Sequence, residues 1–245
     1  MTATDPSAYP GQMPATLIRV GHKGAGHVAL GNTAESFAAA LRCGVDMIEF
    51  DVLPHPSDGR LVLAHDHEDA ITREPLTLAE GLDHLLGAAY AAIELDVDLK
   101  LAGYEREVVD ELARRGLTDR TLVSSTFLTS LDLIGEEDPG LRRGWSVPRA
   151  QRDYTRSPVW ALPARGALHW IRAGLPSQAA QAIERGRCDA LMAHRLLVSR
   201  RLVGRVHGAG GQLYVWTVDD REEIVQLEAL GVDGVITNDP RLFAA

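Results

Sequence analysis

Short apolar runs rich in β-forming residues alternate with helical patterns along the whole chain, and this alternation constrains the fold more than any other feature. The runs are LIRVGH (17–22), MIEFDV (47–52), AIELDVDL (92–99), TLVSST (121–126), RGWSV (143–147), DALMAH (189–194), QLYVWTV (212–218) and GVITN (234–238). Between them stand TAESFAAALRCG, LTLAEGLDHLLGAAY, YEREVVDELARRG, SQAAQAIERG, SRRLVGRVHGAG and DREEIVQLEALG, several of which close on Gly, as helix C-termini commonly do. Strands separated by helices pair in parallel, because a parallel neighbour is reached only through a crossover. Eight strands over about 230 residues match an α/β fold of the (β/α)8 TIM-barrel type. An open doubly wound sheet would carry a dinucleotide fingerprint after its first strand, and GHKGAG lacks the spacing. The expectation is one barrel domain over residues 17–245, with a short insertion after strand two and a loose Pro/Ser/Gly-containing arm at 1–16. RGWSV is the least regular strand, and Pro, Arg and Trp obscure any period between 150 and 175.

Charge narrows the partners. With 25 basic and 34 acidic residues the net charge is −9, which argues against non-specific binding to nucleic acid or to an anionic membrane. No apolar stretch reaches the length of a membrane span, so stable membrane insertion is not expected. The opening residues lack a basic segment followed by an apolar run. Cys43 and Cys188 are far apart, in no metal-type spacing, and read as small packed residues in a reducing compartment. A cytoplasmic location is the expectation.

The second run reads DMIEFDV. Residues two apart on a strand share a face, so Glu49 and Asp51 face the same way, about 7 Å apart along the chain. Burying two like charges costs several kcal/mol each unless something compensates. In a barrel, functional groups gather at the C-terminal ends of the strands. His22 ends strand one, Glu49 and Asp51 are late in strand two, Asp98 and Lys100 end strand three, and His65 follows an extended excursion after strand two. Glu94 and Asp96 share the face of Asp98, so strand three offers more carboxylates than a metal needs; some are expected in ion pairs or nearer the barrel bottom. Three carboxylates from two strands make a hard, oxygen-rich site suited to Mg²⁺ or Ca²⁺. Such a cation would neutralise the buried pair.

The ordered set His22-Lys23-Gly24, Asn32-Thr33 with Ser36-Phe37, Glu49-Phe50-Asp51, Asp58-Gly59, His65-Asp66, VWTVDD (215–220) and GVDGVITNDP (231–240) resembles the glycerophosphodiester phosphodiesterases, barrel enzymes related to the sphingomyelinase D–type phospholipases. The resemblance runs from about residue 18 to the C-terminus. It implies that His22 and His65 are the general base and general acid, in either order, and that Glu49, Asp51 and Asp98 are metal ligands, Asp98 standing where the family usually has Glu. It further implies that Lys100 contacts a phosphate oxygen. Lys23 replaces the family's Arg, keeping the charge without the planar fork, and Gly31 replaces its Glu. Trp216, late in strand seven, reads either as an apolar wall for the substrate or as core.

The activity implied is metal-dependent hydrolysis of glycerophosphodiesters such as glycerophosphocholine to glycerol 3-phosphate and an alcohol. A phospholipase D–like action on lysolipids would use the same site, and a degenerate phosphodiester-binding protein is the non-enzyme alternative. His65-Asp66-His67 also has the His-x-His form of zinc amidohydrolases, but it lies after strand two, without an obvious supporting constellation. The remaining histidines, His27, His55, His84, His169 and His207, read as loop or surface residues.

Overall fold

Nine strands form one sheet in the computed structural model, which describes residues 16–148 and 161–244. In chain order they are β1 (Ile18–Gly21), β2 (Met47–Pro54), β3 (Leu61–Val62), β4 (Glu94–Leu99), β5 (Thr121–Ser125), β6 (Arg142–Val147), β7 (Ala190–His194), β8 (Gln212–Trp216) and β9 (Gly234–Thr237). Parallel pairing runs β1-β9-β8-β7-β6-β5-β4-β2, and β2 returns to β1 to close a barrel of eight. These eight are the eight predicted runs. β3 lies outside the barrel, antiparallel to the end of β2 through Leu53↔Val62 and Pro54↔Leu61; with the helix after it, β3 is the expected insertion.

The helices are α1 (Ala34–Arg42), α2 (His67–Thr72), α3 (Leu78–Leu85), α4 (Glu105–Arg114), α5 (Leu128–Glu137), α6 (Ala161–Glu184), α7 (Arg200–Gly208) and α8 (Arg221–Leu230). Local chemistry sets many of their ends. Thr33, Ser199 and Asp220 accept the backbone N–H three residues on, and Thr77 forms a full capping box with Glu80. Gly231 closes α8 in the left-handed conformation that a Cβ would strain. Three helices go beyond the sequence pattern: α2, α5, and α6, which begins at Ala161 although only 177–186 read as helical. The expectation of a loose arm falls on residues outside the described ones, apart from Thr16.

Strand alternation sorts side chains into two cores. Ile48, Phe50 and Val52 of β2, with Leu95, Val97 and Leu99 of β4, face outward onto Phe37, Ala40, Leu82 and Leu112 of the helical ring. Phe37 and Phe50 have ring centroids 5.7 Å apart, and truncating such a buried ring to Ala costs roughly 3–5 kcal/mol. The inward residues Val20, Met47, Leu122, Met192, Tyr214 and Ile236 fill the barrel interior. Glu49 and Asp51 continue the inward row begun by Met47, and both are buried.

At the N-terminal end of the barrel a clamp recurs. Asp46, just before β2, donates its N–H to the carbonyl of Arg19 (2.9 Å) and accepts the Arg19 N–H on Oδ2 (2.8 Å). Asp189 does the same with Arg143 (2.8 and 2.8 Å), and Asp233 with Leu213 (2.9 and 2.7 Å). Each aspartate precedes a strand and zips its first residues to the neighbouring strand. Glu94 also serves this end, paired with Arg142 at 2.7 Å, as the surplus of carboxylates on β4 leads one to expect.

Candidate active site

The register between β2 and β4 places Glu49 opposite Asp96 and Asp51 opposite Asp98, a two-by-two ladder of carboxylates at the mouth of the barrel. Like charges directly opposite one another destabilise a sheet, so the ladder has to be compensated. Asp96 is buried and accepts the hydroxyl of Ser124 at 2.7 Å. Burial and the adjacent Asp98 push its carboxyl up to about 8, so it is largely protonated at neutral pH and leaves three carboxylates in question. Glu49, Asp51 and Asp98 each bring an oxygen within 4.8 Å of the others, and among the described residues theirs is the group spaced to hold a metal.

Two lysines answer part of that charge. The Lys100 ammonium contacts Asp51 Oδ1 and Asp98 Oδ2, and Lys23 Nζ lies 3.4 Å from Asp51 Oδ2. Asn32 grips Asp51 from the side, donating Nδ2 to Oδ2 (3.0 Å) and accepting the Asp51 N–H (3.1 Å). Burial alone would raise Asp51, but Lys100 and then Lys23 outweigh it and hold the carboxyl well below the usual range. Burial likewise opposes the charge on Lys100, yet Asp51, Asp98 and Glu49 together raise it well above the usual lysine value. Glu49 is left worst off: burial, then Asp51, push it well above the ordinary range. Asp51 Oδ1 is buried and meets only the Lys100 ammonium. Carboxylate oxygens from two adjacent strands and an under-compensated Glu49 are a donor set that fits a hard divalent cation.

The loop after β1 delivers His22 and Lys23. It turns tightly around Ser36, whose hydroxyl accepts the Ala25 N–H (2.7 Å) and donates to the Lys23 carbonyl (2.5 Å). Gly24 sits at φ 82°, and a Cβ there would come within 2.5 Å of Ser36 Oγ. Lys23 N donates to Glu49 Oε2 (2.7 Å), so the loop docks directly on the carboxylate row.

His22 Nε2 stands 3.9 Å from Glu49 Oε2. Its Nδ1 is 2.6 Å from Asn238 Oδ1, and Asn238 donates Nδ2 to Asp219 at 2.8 Å. Because the carboxylate takes the amide N–H, the amide oxygen faces the ring. Nδ1 is therefore the protonated nitrogen, and Nε2 presents its lone pair to the mouth. Burial, then Lys23, bring His22 down to about 4, so it is neutral at physiological pH.

His65 is placed differently, half-exposed between β3 and α2. Asp69 accepts its N–H (2.9 Å) and is itself held by Arg73, and its Nδ1 lies 3.2 Å from Asp66. Its charge still helps to lower Asp51, which puts it within electrostatic reach of the carboxylates. His67 opens α2 and joins no metal-type group among the described residues. Trp216 ends β8 apart from the cluster, its indole N–H on the Met192 carbonyl (2.8 Å) and its ring edge-on to His194 (5.1 Å). It packs on the interior core with one side still accessible.

The structure thus brings together His22, Lys23, Glu49, Asp51, Asp98 and Lys100, with His65 nearby and Trp216 across the barrel. Sequence reasoning did not assign Asn32, Asp219, Asn238 and Asp96. The signal for the first three was present as polar residues in GNT before α1 and in TVDD and ITNDP after strands, but their partners lie far away in the chain.

Fold and site define a (β/α)8 barrel whose mouth is built around buried carboxylates, lysines and imidazole. The chain belongs to the Glycerophosphoryl diester phosphodiesterase family, which it matches over residues 22–74 and 88–242, and it is a phosphoric diester hydrolase of that family. It is 24% identical to the Bacillus subtilis protein YhdW over 251 residues, covering 90% of this chain and 94% of that one. It is also 24% identical to the glycerophosphodiester phosphodiesterase GDPD4 of Arabidopsis thaliana, covering 91% of this chain and 70% of that one. The fold matches an Oleispira antarctica phosphodiesterase solved with its product sn-glycerol-3-phosphate, with TM-score 0.66, 20% identity and coverage of 91% and 93%. It matches a glycerophosphodiester phosphodiesterase from Agrobacterium tumefaciens with TM-score 0.68, 19% identity and coverage of 94% and 100%.

Proposed function

We propose that the protein hydrolyses glycerophosphodiesters such as glycerophosphocholine to glycerol 3-phosphate and an alcohol, in a reaction dependent on Mg²⁺ or Ca²⁺. The observation that carries this reading is the convergence of a neutral, oriented His22 Nε2 on the Glu49–Asp51–Asp98 trio. Glu49, Asp51 and Asp98 would hold the cation, which supplies charge stabilisation for an anionic phosphoryl group.

The protein's own groups do the rest. His22 takes the proton of the attacking hydroxyl on Nε2, while Asn238 and Asp219 hold its other nitrogen protonated. His65, in its exposed position, protonates the departing alkoxide. A neutral imidazole with a free ring nitrogen can accept a proton, and a second imidazole on the other side of the scissile bond can deliver one. Lys23 and Lys100 offset the negative charge that a nucleophile must approach. Trp216 offers its open face as an apolar wall for the alcohol portion.

A second reading, action on lysolipids, is favoured by one observation. Leu30 and Ile71 are 65% and 64% exposed, and they lie on the segments that follow His22 and His65. The acidic character of the chain, with a net charge of −9, supports a small-molecule substrate rather than nucleic acid, and the reading includes a cytoplasmic location. Among the described residues no helix is long and apolar enough to cross a membrane.

The test is product analysis with glycerophosphocholine and a lysophosphatidylcholine as competing substrates, for the wild type and His22→Ala. The reading predicts choline and glycerol 3-phosphate from the first substrate, and at least a hundredfold slower release by the variant. Preference for the lysolipid would select the second reading. Ligand binding without release of choline from either substrate would refute both.

A further inference from the structure

We infer that Gly31 is a positioning residue for Lys23, and that the two together set how strongly the carboxylate trio holds a divalent cation; this rests on the metal-site reading above. A Cβ on Gly31 would lie 2.8 Å from Lys23 Cβ, 3.2 Å from its Cδ and 3.6 Å from its Cγ. The lysine stem therefore lies across the bare α-carbon of Gly31. The tightest of these contacts is to Cβ, which is fixed to the backbone and cannot swing aside. That backbone is itself pinned: Lys23 N donates to Glu49 Oε2, and the Lys23 carbonyl accepts both the Asn32 N–H (3.0 Å) and the Ser36 hydroxyl. With both peptide groups held and φ at 54°, the direction of the side chain is decided by what lies beneath the stem.

That direction matters because it carries the ammonium to 3.4 Å from Asp51 Oδ2. Asn32, the next residue after Gly31, bonds the same oxygen at 3.0 Å, so two consecutive residues act on one carboxylate, one by its side chain and one by lacking a side chain. Two of the positions where the motif set departs from the family pattern are thus in direct contact. A cation seated on the trio is repelled by an ammonium this close, whereas an anionic phosphate is attracted by it. Lys23 weakens the cation and strengthens the substrate, and Gly31 is the seat that lets it do both.

The experiment titrates MgCl2 and, separately, CaCl2 into chelator-treated full-length protein by calorimetry. It uses wild type, Lys23→Met, Gly31→Ala and the double variant, each with a thermal melt and with KM and kcat for glycerophosphocholine. Lys23→Met is expected to tighten cation Kd on the order of tenfold and to raise KM. Gly31→Ala is expected to move both in the same directions by displacing the stem, and the double variant to bind no tighter than Lys23→Met. An unchanged Kd in Gly31→Ala, or fully additive changes in the double variant, would overturn the inference. If Gly31→Ala melts early, Lys23→Gly in the same chain should restore the melting temperature, since it removes the atoms in the way; no recovery would also overturn it. The titration contains no substrate, so failed turnover counts against the proposed hydrolysis and not against this coupling. Absence of cation binding in all four proteins overturns the coupling even if choline is released.

Discussion

Asp46, just before β2, and Asp51, within it, live in opposite circumstances. Asp46 meets Arg19 through three bonds, to N, Nε and Nη2, at 2.8–2.9 Å. Its charge is answered locally, and the same clamp recurs at Asp189 and Asp233. Asp51 is fully buried beside Glu49 and opposite Asp98, and its compensation comes from Lys23 and Asn32 of the β1–α1 loop and from Lys100 after β4. One end of the barrel spends its aspartates on joining strands. The other crowds them together and leaves Glu49 under-compensated, an arrangement that makes sense as readiness for a cation. Substitutions at the two ends should therefore fail in different ways.

The largest effect is expected from Glu49→Gln. Burial and Asp51 already push Glu49 towards its protonated form, so the amide should leave chelator-treated stability within about 1 kcal/mol of wild type. Turnover, which needs the carboxylate, should fall on the order of a thousandfold. A large stability loss with activity retained would reverse the comparison.

Next comes Asn238→Ala, which frees Nδ1 of His22 from its partner. Here kcat should drop roughly ten- to a hundredfold while KM changes little, and the acid limb of the pH–rate profile should move. A change in KM alone would deny Asn238 its role in fixing the tautomer.

The smallest effect is at the far end. Asp46→Ala should cost about 1–2 kcal/mol, its partly exposed pair being screened, and lower Tm by about 3–6 °C for a chain of this size, with kcat unchanged. Burial works against the Asp46 charge, but its hydrogen bonds to Arg19 prevail and hold its carboxyl below the usual range. Its stabilisation is therefore complete above the unfolded value near 4 and disappears as pH falls through the lower folded value. The gap in Tm between wild type and variant should close in acid, as melts at pH 7 and at about pH 2 would show.

The eight strands were legible because short apolar, β-rich runs recur between helical stretches, several of which close on Gly. α5 escaped notice for a physical reason: Phe127 precedes it with no side-chain cap, and no basic residue marks its last turn. The upper half of α6 was hidden by Pro, Arg and Trp, including Pro176 within the helix. At the site, strand periodicity put Glu49 and Asp51 on one face, and the choice of Asp98 over Glu94 and Asp96 came from its place at the strand end and from the family resemblance. The bond between His22 and Asn238, 216 residues apart, depends on barrel closure through the pairing of β1 with β9 and could not. The protonation of Asp96 was equally invisible, since it arises chiefly from burial inside the closed barrel. The bottom clamps left a trace in the repeated Gly-Val-Asp at 44–46 and 231–233, meaningful only once both triplets are seen to enter strands.

The most direct test of the carboxylate-rich mouth is the rate of choline release from glycerophosphocholine by chelator-treated protein, before and after Mg²⁺ or Ca²⁺ is restored. The account predicts negligible release in chelator, recovery with either or both cations, and no recovery in Glu49→Gln. Undiminished release in excess chelator would contradict it.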